Sequence, residues 1–371
     1  MKGKLTCPFC EYSEGLGPQP GPCPRCGTPL VYWRELPSRL PRLSGRGVWR
    51  YRPLLPDVAP VSLGEGGTPL VPSIRLGREL GIELRFKLEG ANPTGSFKDR
   101  GASVLVSVLR EFGLRKVADD SSGNAGAALA AYAARAGLGA VLFVPAHASE
   151  KKLAQIQAYG AELVTVPGPR PQATLAAQQA CREEPELVYA SHNESPYFEA
   201  GLRSLAYELG EDLSWDVPEH VVVPVGGGAL FLGLVQGFSD LVRLGLIRRV
   251  PQVHAVQAAA CAPIVRAFEQ GLAAPAPVEP GRTAAEGVAI AAPPRGREIL
   301  AALREVQGSA VAVSDEGILA AWKSLPRKEG LYVEPTSATA VAGLSALVKQ
   351  GVIQPGESVV VPLTGTGLKG A

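Results

Sequence analysis

Four cysteines fall within the first 26 residues, Cys7 and Cys10 followed after a twelve-residue gap by Cys23 and Cys26. Two CxxC hooks at such a separation suit a tetrahedral Zn2+, and four thiolates close its shell without an open catalytic position. A module of about 33 residues is too small to fold without such a staple. A metal-free knuckle or a redox CxxC is the alternative, although neither pair precedes a helix in a thioredoxin-like pattern. Further along, Glu89-Gly-Ala-Asn-Pro-Thr-Gly-Ser-Phe97-Lys98-Asp-Arg-Gly101 places a lysine at the mouth of a helix, after a strand and a tight Pro/Gly turn. The positive end of a helix and the apolar Phe97 both disfavour an ammonium. A lysine of lowered pKa can form a Schiff base. By residue type alone, an ordinary surface lysine starting a helix is the better reading.

Two loops could hold anions. Ser121, Ser122, Gly123, Asn124 and Ala125 lie between a strand and a helix N-terminus, where free N–H groups and hydroxyls suit a carboxylate. An ordinary N-cap cluster is the plain alternative. Gly226, Gly227 and Gly228, with Ala229 and Leu230, follow a strand and open a helix, so the backbone can approach a phosphate that the helix dipole favours. Without a ligand, three successive glycines would be an unexplained entropy cost.

The elements that must position these residues alternate in kind. Short apolar strands are expected at 84–88, 116–118, 140–145, 162–167, 187–191, 221–225, 253–257, 310–313 and 358–362. Helices are expected at 99–112, 125–136, 150–159, 199–209, 229–241 and 337–350. That alternation predicts an α/β fold with open, twisted parallel sheets, whose ligands collect at the carboxyl ends of the strands. Residues 37–60, broken by turn formers, read as an extended connector.

The Lys98 string resembles the active-site lysine motif of the threonine synthases, within the fold-type II pyridoxal-phosphate (PLP) enzymes. Leu63-Gly-Glu-Gly-Gly-Thr-Pro-Leu70 is similar to the family's entry motif, and Leu363-Thr364-Gly-Thr-Gly-Leu-Lys369 to its closing one. The resemblance implies two α/β domains with PLP in the cleft between them: a zinc ribbon at 1–34, a large cofactor domain of 35–97 and 198–371, and a small domain of 98–197. It implies Lys98 as covalent anchor and acid–base group, with Phe97 beside it. Asn124 would sit beside the cofactor's phenolic oxygen, Gly226–Leu230 around its phosphate, and Thr364 at its ring nitrogen. Ser121–Ala125 would take the substrate carboxylate. The implied reaction removes phosphate from the γ carbon of O-phospho-L-homoserine, adds water at the β carbon and releases L-threonine.

The likeness departs at three places. Phe198 stands where the family carries a phosphate-binding arginine, leaving Arg203 and Ser204 as replacements; the glycine-rich loop is closer to the serine/threonine ammonia-lyases; Thr366 replaces a frequent histidine. An ammonia-lyase or another β/γ-elimination or replacement enzyme on amino acids is therefore the rival, with a non-catalytic scaffold behind it. Glu334-Pro-Thr-Ser-Ala338 resembles a pocket-bordering segment without assigned chemistry. Gly365–Gly370 spells GxGxxG, but one residue follows it, too few for a dinucleotide fold.

Bulk properties agree with a globular enzyme. The chain has 371 residues, 46% of them hydrophobic and 19% charged, and a net charge of +2. Neither a basic run for nucleic acid nor an 18-residue apolar span for a membrane occurs. A cytoplasmic protein acting on a small amino-acid substrate is expected, and the resemblance adds a homodimer. Cys181 and Cys261 are expected to be buried, and His147, His192, His220 and His254 to serve core or surface roles.

Overall fold

The computed structural model describes residues 1–146, 148 and 150–369, with the backbone alone at 151 and 152; His147 and Gly370 lie outside the described residues. The chain separates into two units, one of residues 1–67 and 92–204, the other of 68–91 and 205–369.

In the first unit, Lys4–Thr6 is the centre of a small antiparallel sheet, with Ser13–Glu14 on one side and Val31–Trp33 on the other. Leu5 and Tyr32 pair across it and are both buried, forming much of the ribbon's apolar content. A four-stranded parallel sheet follows, in the order Glu162–Val166, Gly139–Pro145, Lys116–Asp119, Leu187–Tyr189. Gly139–Pro145 is buried at every residue after the first, as a central parallel strand covered on both faces must be.

The expected extended connector is corrected here. Val48–Leu54 coils into 3-10 turns, and Val48, Tyr51 and Leu54 are buried. Their three-residue spacing matches the period of that helix, a pattern hidden among prolines and arginines. Two serines of the helix Lys98–Glu111 tie down this segment and the residue Val61 that follows it. Trp49 Nε1 donates to Ser103 Oγ (2.8 Å), Ser103 Oγ donates to Val61 O (2.7 Å), and Val61 N donates to Ser107 Oγ (2.8 Å).

The second unit is built on a six-stranded sheet in the order Ala310–Val313, Gln252–Ala258, His220–Pro224, Ser358–Leu363, Glu83–Leu88, Leu70–Pro72. All neighbours are parallel except the last pair, in which the three-residue edge strand runs antiparallel. Proline at 69 and 72 had disguised that strand. The helix Pro335–Lys349 lies close on the sheet because residue 343 is glycine; a Cβ there would meet Val256 at 2.3 Å. The helices Arg170–Glu183, Pro263–Glu269, Gly296–Glu305 and Asp315–Glu329 were not expected from the sequence. Cys261 is buried as expected, while Cys181 is only half-buried.

At the amino end of the second sheet three side chains form a ladder. Ser309 N donates to His254 Nδ1 (3.0 Å), so His254 Nε2 carries the hydrogen and donates to His220 Nδ1 (3.0 Å). His220 Nε2 then donates to Glu357 (2.9 Å). Burial, and then the neighbouring His220, hold His254 down to about 3. The unfolded chain therefore takes up this proton first, near pH 6.5, so the group's stabilisation is full above that value and fades as pH falls towards 3. Urea midpoints should drop between pH 7 and 4, with at most about 1.4 kcal/mol per pH unit from this one group. His254→Gln should flatten the slope; an unchanged slope would refute the assignment.

Candidate active site

The expected site residues fall on both units, and each half has its own geometry. In the first unit, Asn92–Gly95 makes the turn before the helix Lys98–Glu111: Gly95 takes φ 86° and its N–H donates to Asn92 O (2.8 Å). Asp99, fully buried, fixes the turn to the helix. Its carboxylate accepts from Thr94 N (2.9 Å), Thr94 Oγ1 (2.7 Å) and the Tyr132 hydroxyl (3.2 Å). Tyr132 also donates to Glu65 (2.9 Å), and these two carboxylates together with burial push its phenol up, burial contributing most.

Lys98 is half-buried, with its Nζ 4.9 Å from the Phe97 ring centroid and 5.5 Å from that of Phe198. Phe198 belongs to the helix Pro196–Asp212, which crosses the lysine's helix almost backbone to backbone. A Cβ on Gly101 would lie 2.6 Å from the Phe198 ring, and one on Gly201 would lie 2.3 Å from Arg100 O. Arg203 is directed elsewhere: its Nε donates to Glu199 (3.1 Å) and its Nη2 to the carbonyl of Tyr32 (2.8 Å). Ser204 Oγ donates to Gly201 O (2.7 Å) and accepts from Arg100 Nη1 (3.3 Å).

The Ser121–Ala125 loop opens the helix Asn124–Ala136 with Gly123 at the cap and no side chain capping it; Ser121 Oγ instead accepts from Gly123 N (3.3 Å). Those first helical N–H groups are what an anion would need. Gly126, not singled out in the sequence, permits the loop's return, since a Cβ there would lie 1.9 Å from Ser121 O. Also unforeseen is the buried pair of His192 Nδ1 and Asp119 (3.0 Å), whose imidazole lies 6.2 Å from the Phe198 ring. Burial, then the charges of Lys98 and Arg170, hold His192 well below its ordinary value, while burial raises Asp119. Both residues end or follow parallel strands at their carboxyl ends, which was the usable clue.

In the second unit, Val225–Gly228 links the strand His220–Pro224 to the helix Ala229–Arg243. Gly228, at φ 90°, occupies the N-cap with no side-chain bond. A Cβ at 228 would meet Ile299 at 2.2 Å, and one at 226 would meet Gly287 O at 2.9 Å. The loop is thus a side-chain-free cradle at a helix N-terminus, a fit for a phosphate. Thr364, buried after the strand Ser358–Leu363, has its hydroxyl 2.9 Å from Ser337 Oγ, which accepts from Gly365 N (2.8 Å). Ser337 lies in the first turn of the helix Pro335–Lys349, within Glu334–Ala338.

The four N-terminal cysteines converge, all four Sγ lying within 4.8 Å of one another and none in a disulfide. Cys7 and Cys26 are 3.3 Å apart, Cys10 and Cys23 3.6 Å. A tetrahedral Zn2+ with bonds of about 2.3 Å would set S···S separations of roughly 3.8 Å, so the thiols fit the ion. Burial pushes the Cys7 thiol up to about 12, and hydrogen bonding with Thr28 lowers Cys26 to about 6.

Residues 61–365 match the family described as pyridoxal-phosphate dependent enzyme. The chain belongs to that family. This PLP-dependent enzyme is 40% identical over 325 residues to a threonine synthase of Methanosarcina acetivorans, covering 87% of this chain and 80% of that one. It is 35% identical over 323 residues to one of Mycobacterium tuberculosis, covering 86% and 87%. Among solved structures it is similar to a threonine deaminase from T.th., with TM-score 0.68, 30% identity and 81% and 92% of the two chains covered. A threonine deaminase from Solanum lycopersicum shares the fold at TM-score 0.72 and 24% identity, over 91% and 95%. The parallel α/β architecture expected from the sequence is therefore that of fold-type II PLP enzymes. Among the described residues no helix is long and apolar enough to cross a membrane.

Gly126→Ala tests the loop directly. Alanine is the better helix former by about 1 kcal/mol, yet the 1.9 Å approach to a backbone oxygen should make the variant less stable. A raised urea midpoint would show that the loop does not return over residue 126.

Proposed function

We propose that the chain is a threonine synthase, a PLP-dependent lyase that converts O-phospho-L-homoserine and water to L-threonine and phosphate. The observation that carries this reading is identity of 35–40% to threonine synthases across most of both chains, with the lysine string intact. PLP, when bound, supplies an electron sink for bonds at the substrate's α, β and γ carbons. Lys98 anchors it and afterwards takes and returns protons at the substrate's carbons. The rings of Phe97 and Phe198 flank that amine on the protein side. The Ser121–Ala125 loop, at the N-terminus of its helix, binds the substrate carboxylate, and Asn124 holds the cofactor's phenolic oxygen.

Gly226–Leu230 would hold the cofactor phosphate, and Thr364 its ring nitrogen. A neutral hydroxyl there leaves that nitrogen unprotonated, which suits elimination better than transamination. Four thiolates of Cys7, Cys10, Cys23 and Cys26 would hold a structural Zn2+. The reading extends to a cytoplasmic homodimer with residues 98–197 as its small domain.

One observation favours a second reading. Arg203 already binds Glu199 and the Tyr32 carbonyl, and Phe198 offers a substrate phosphate no charge-assisted bond. A serine/threonine ammonia-lyase needs no such clamp. Offered phosphohomoserine, threonine and serine in turn, the protein should release phosphate and form threonine from the first; ammonia without phosphate would give the second reading. Lys98→Ala should lose the cofactor's visible absorbance and nearly all turnover, and metal analysis should find a single Zn2+ per chain.

A further inference from the structure

One helix carries both a contact to the ribbon and a contact to the lysine. Glu199 and Arg203 stand one turn apart on one side of the helix Pro196–Asp212, and Arg203 Nη2 donates to Tyr32 O at 2.8 Å. In the first turn, the Tyr197 hydroxyl donates to Gly17 O at 2.8 Å, and its ring lies 6.3 Å from that of Tyr32. Phe198, Gly201 and Ser204, at three-residue intervals, meet the helix that begins with Lys98.

Both ribbon partners sit on segments that the cysteines organise. Gly17 lies in the loop between Cys10 and Cys23. Tyr32 belongs to a strand paired with Lys4–Thr6, which runs directly into Cys7. Between the two cysteine pairs the regular structure amounts to the two-residue strand Ser13–Glu14. The four-thiol cluster thus adjoins both the loop that carries Gly17 and the sheet that carries Tyr32. On the opposite side there is no slack: the Phe198 ring already fills the space a Cβ on Gly101 would take. A shift of the helix moves Phe198 against Lys98.

We propose that Arg203 is a positioning residue joining the four-cysteine ribbon to Lys98, so that metal in the ribbon sets how Phe198 lies against the lysine. This rests on the ribbon and lysine roles proposed above. The Arg203–Glu199 pair is nearly fully buried, so removing one partner strands a charge rather than merely deleting a surface contact.

The test uses the full holoenzyme, with three measurements: zinc content, the pH midpoint of the lysine-bound cofactor's visible band, and amide exchange across residues 198–204. Wild type stripped of zinc by a chelator, and Arg203→Met, should show the same change. Exchange across 198–204 should quicken by about tenfold or more, and the band's midpoint should move. Arg203→Lys should restore part of both. Arg295→Met removes another buried Arg–Glu pair, in the other unit (Arg295 to Glu298, 2.9 Å), and should leave both readings as in wild type. The proposal is overturned if stripped wild type or Arg203→Met keeps wild-type exchange and midpoint, or if Arg295→Met changes them equally. A colourless wild type would sink the functional reading instead, and exchange with and without added Zn2+ would then decide the coupling alone.

Discussion

The placement of Lys98 depends on the carboxylate of Asp99. It accepts from the amide and the hydroxyl of Thr94 in the preceding turn and from the Tyr132 hydroxyl, and so fixes where the helix begins. A buried carboxylate with several donors is satisfied, whereas one without them would be expensive to keep charged. The neighbouring lysine is therefore held at the helix mouth by the chemistry of the residue beside it. Tyr132 joins that carboxylate to Glu65, and Glu65 accepts from Leu63 N (2.9 Å). Two motifs far apart in sequence are thus one structural unit.

The second unit solves a different problem with an absence of side chains. Gly226 and Gly228 bring backbone close to Gly287 and Ile299, where any Cβ would collide. Binding through main-chain N–H groups at a helix end leaves little to rearrange when an anion arrives. The buried Thr364–Ser337 pair beyond the last strand is likewise held by the amide of Gly365.

Much of this was legible in the sequence, because glycine, proline and cysteine spacing report directly on backbone and metal constraints. The strand and helix expected around Lys98 appear as Glu83–Leu88 and Lys98–Glu111, and the cysteines converge. What escaped depends on contacts between distant segments. The edge strand Leu70–Pro72 is recognisable only beside its partner Glu83–Leu88. The 3-10 turn at Val48–Leu54 is tied to a distant helix through Trp49 and Ser103, and the chain just after it through Val61 and Ser107. His192 gains meaning only when the sheet brings Asp119 to it. The charge of Arg203 is legible in the sequence, whereas its partners, Glu199 and a ribbon carbonyl, are visible only in three dimensions.

The short antiparallel strand at the rim of the six-stranded sheet has a bearing on colloidal behaviour. A foreign strand seeking to extend the sheet there meets only three residues, Leu70 to Pro72, ending in a proline that has no amide hydrogen to offer. Growth of stacked, fibril-like arrays from that rim is discouraged by the shortness of the strand and by its proline.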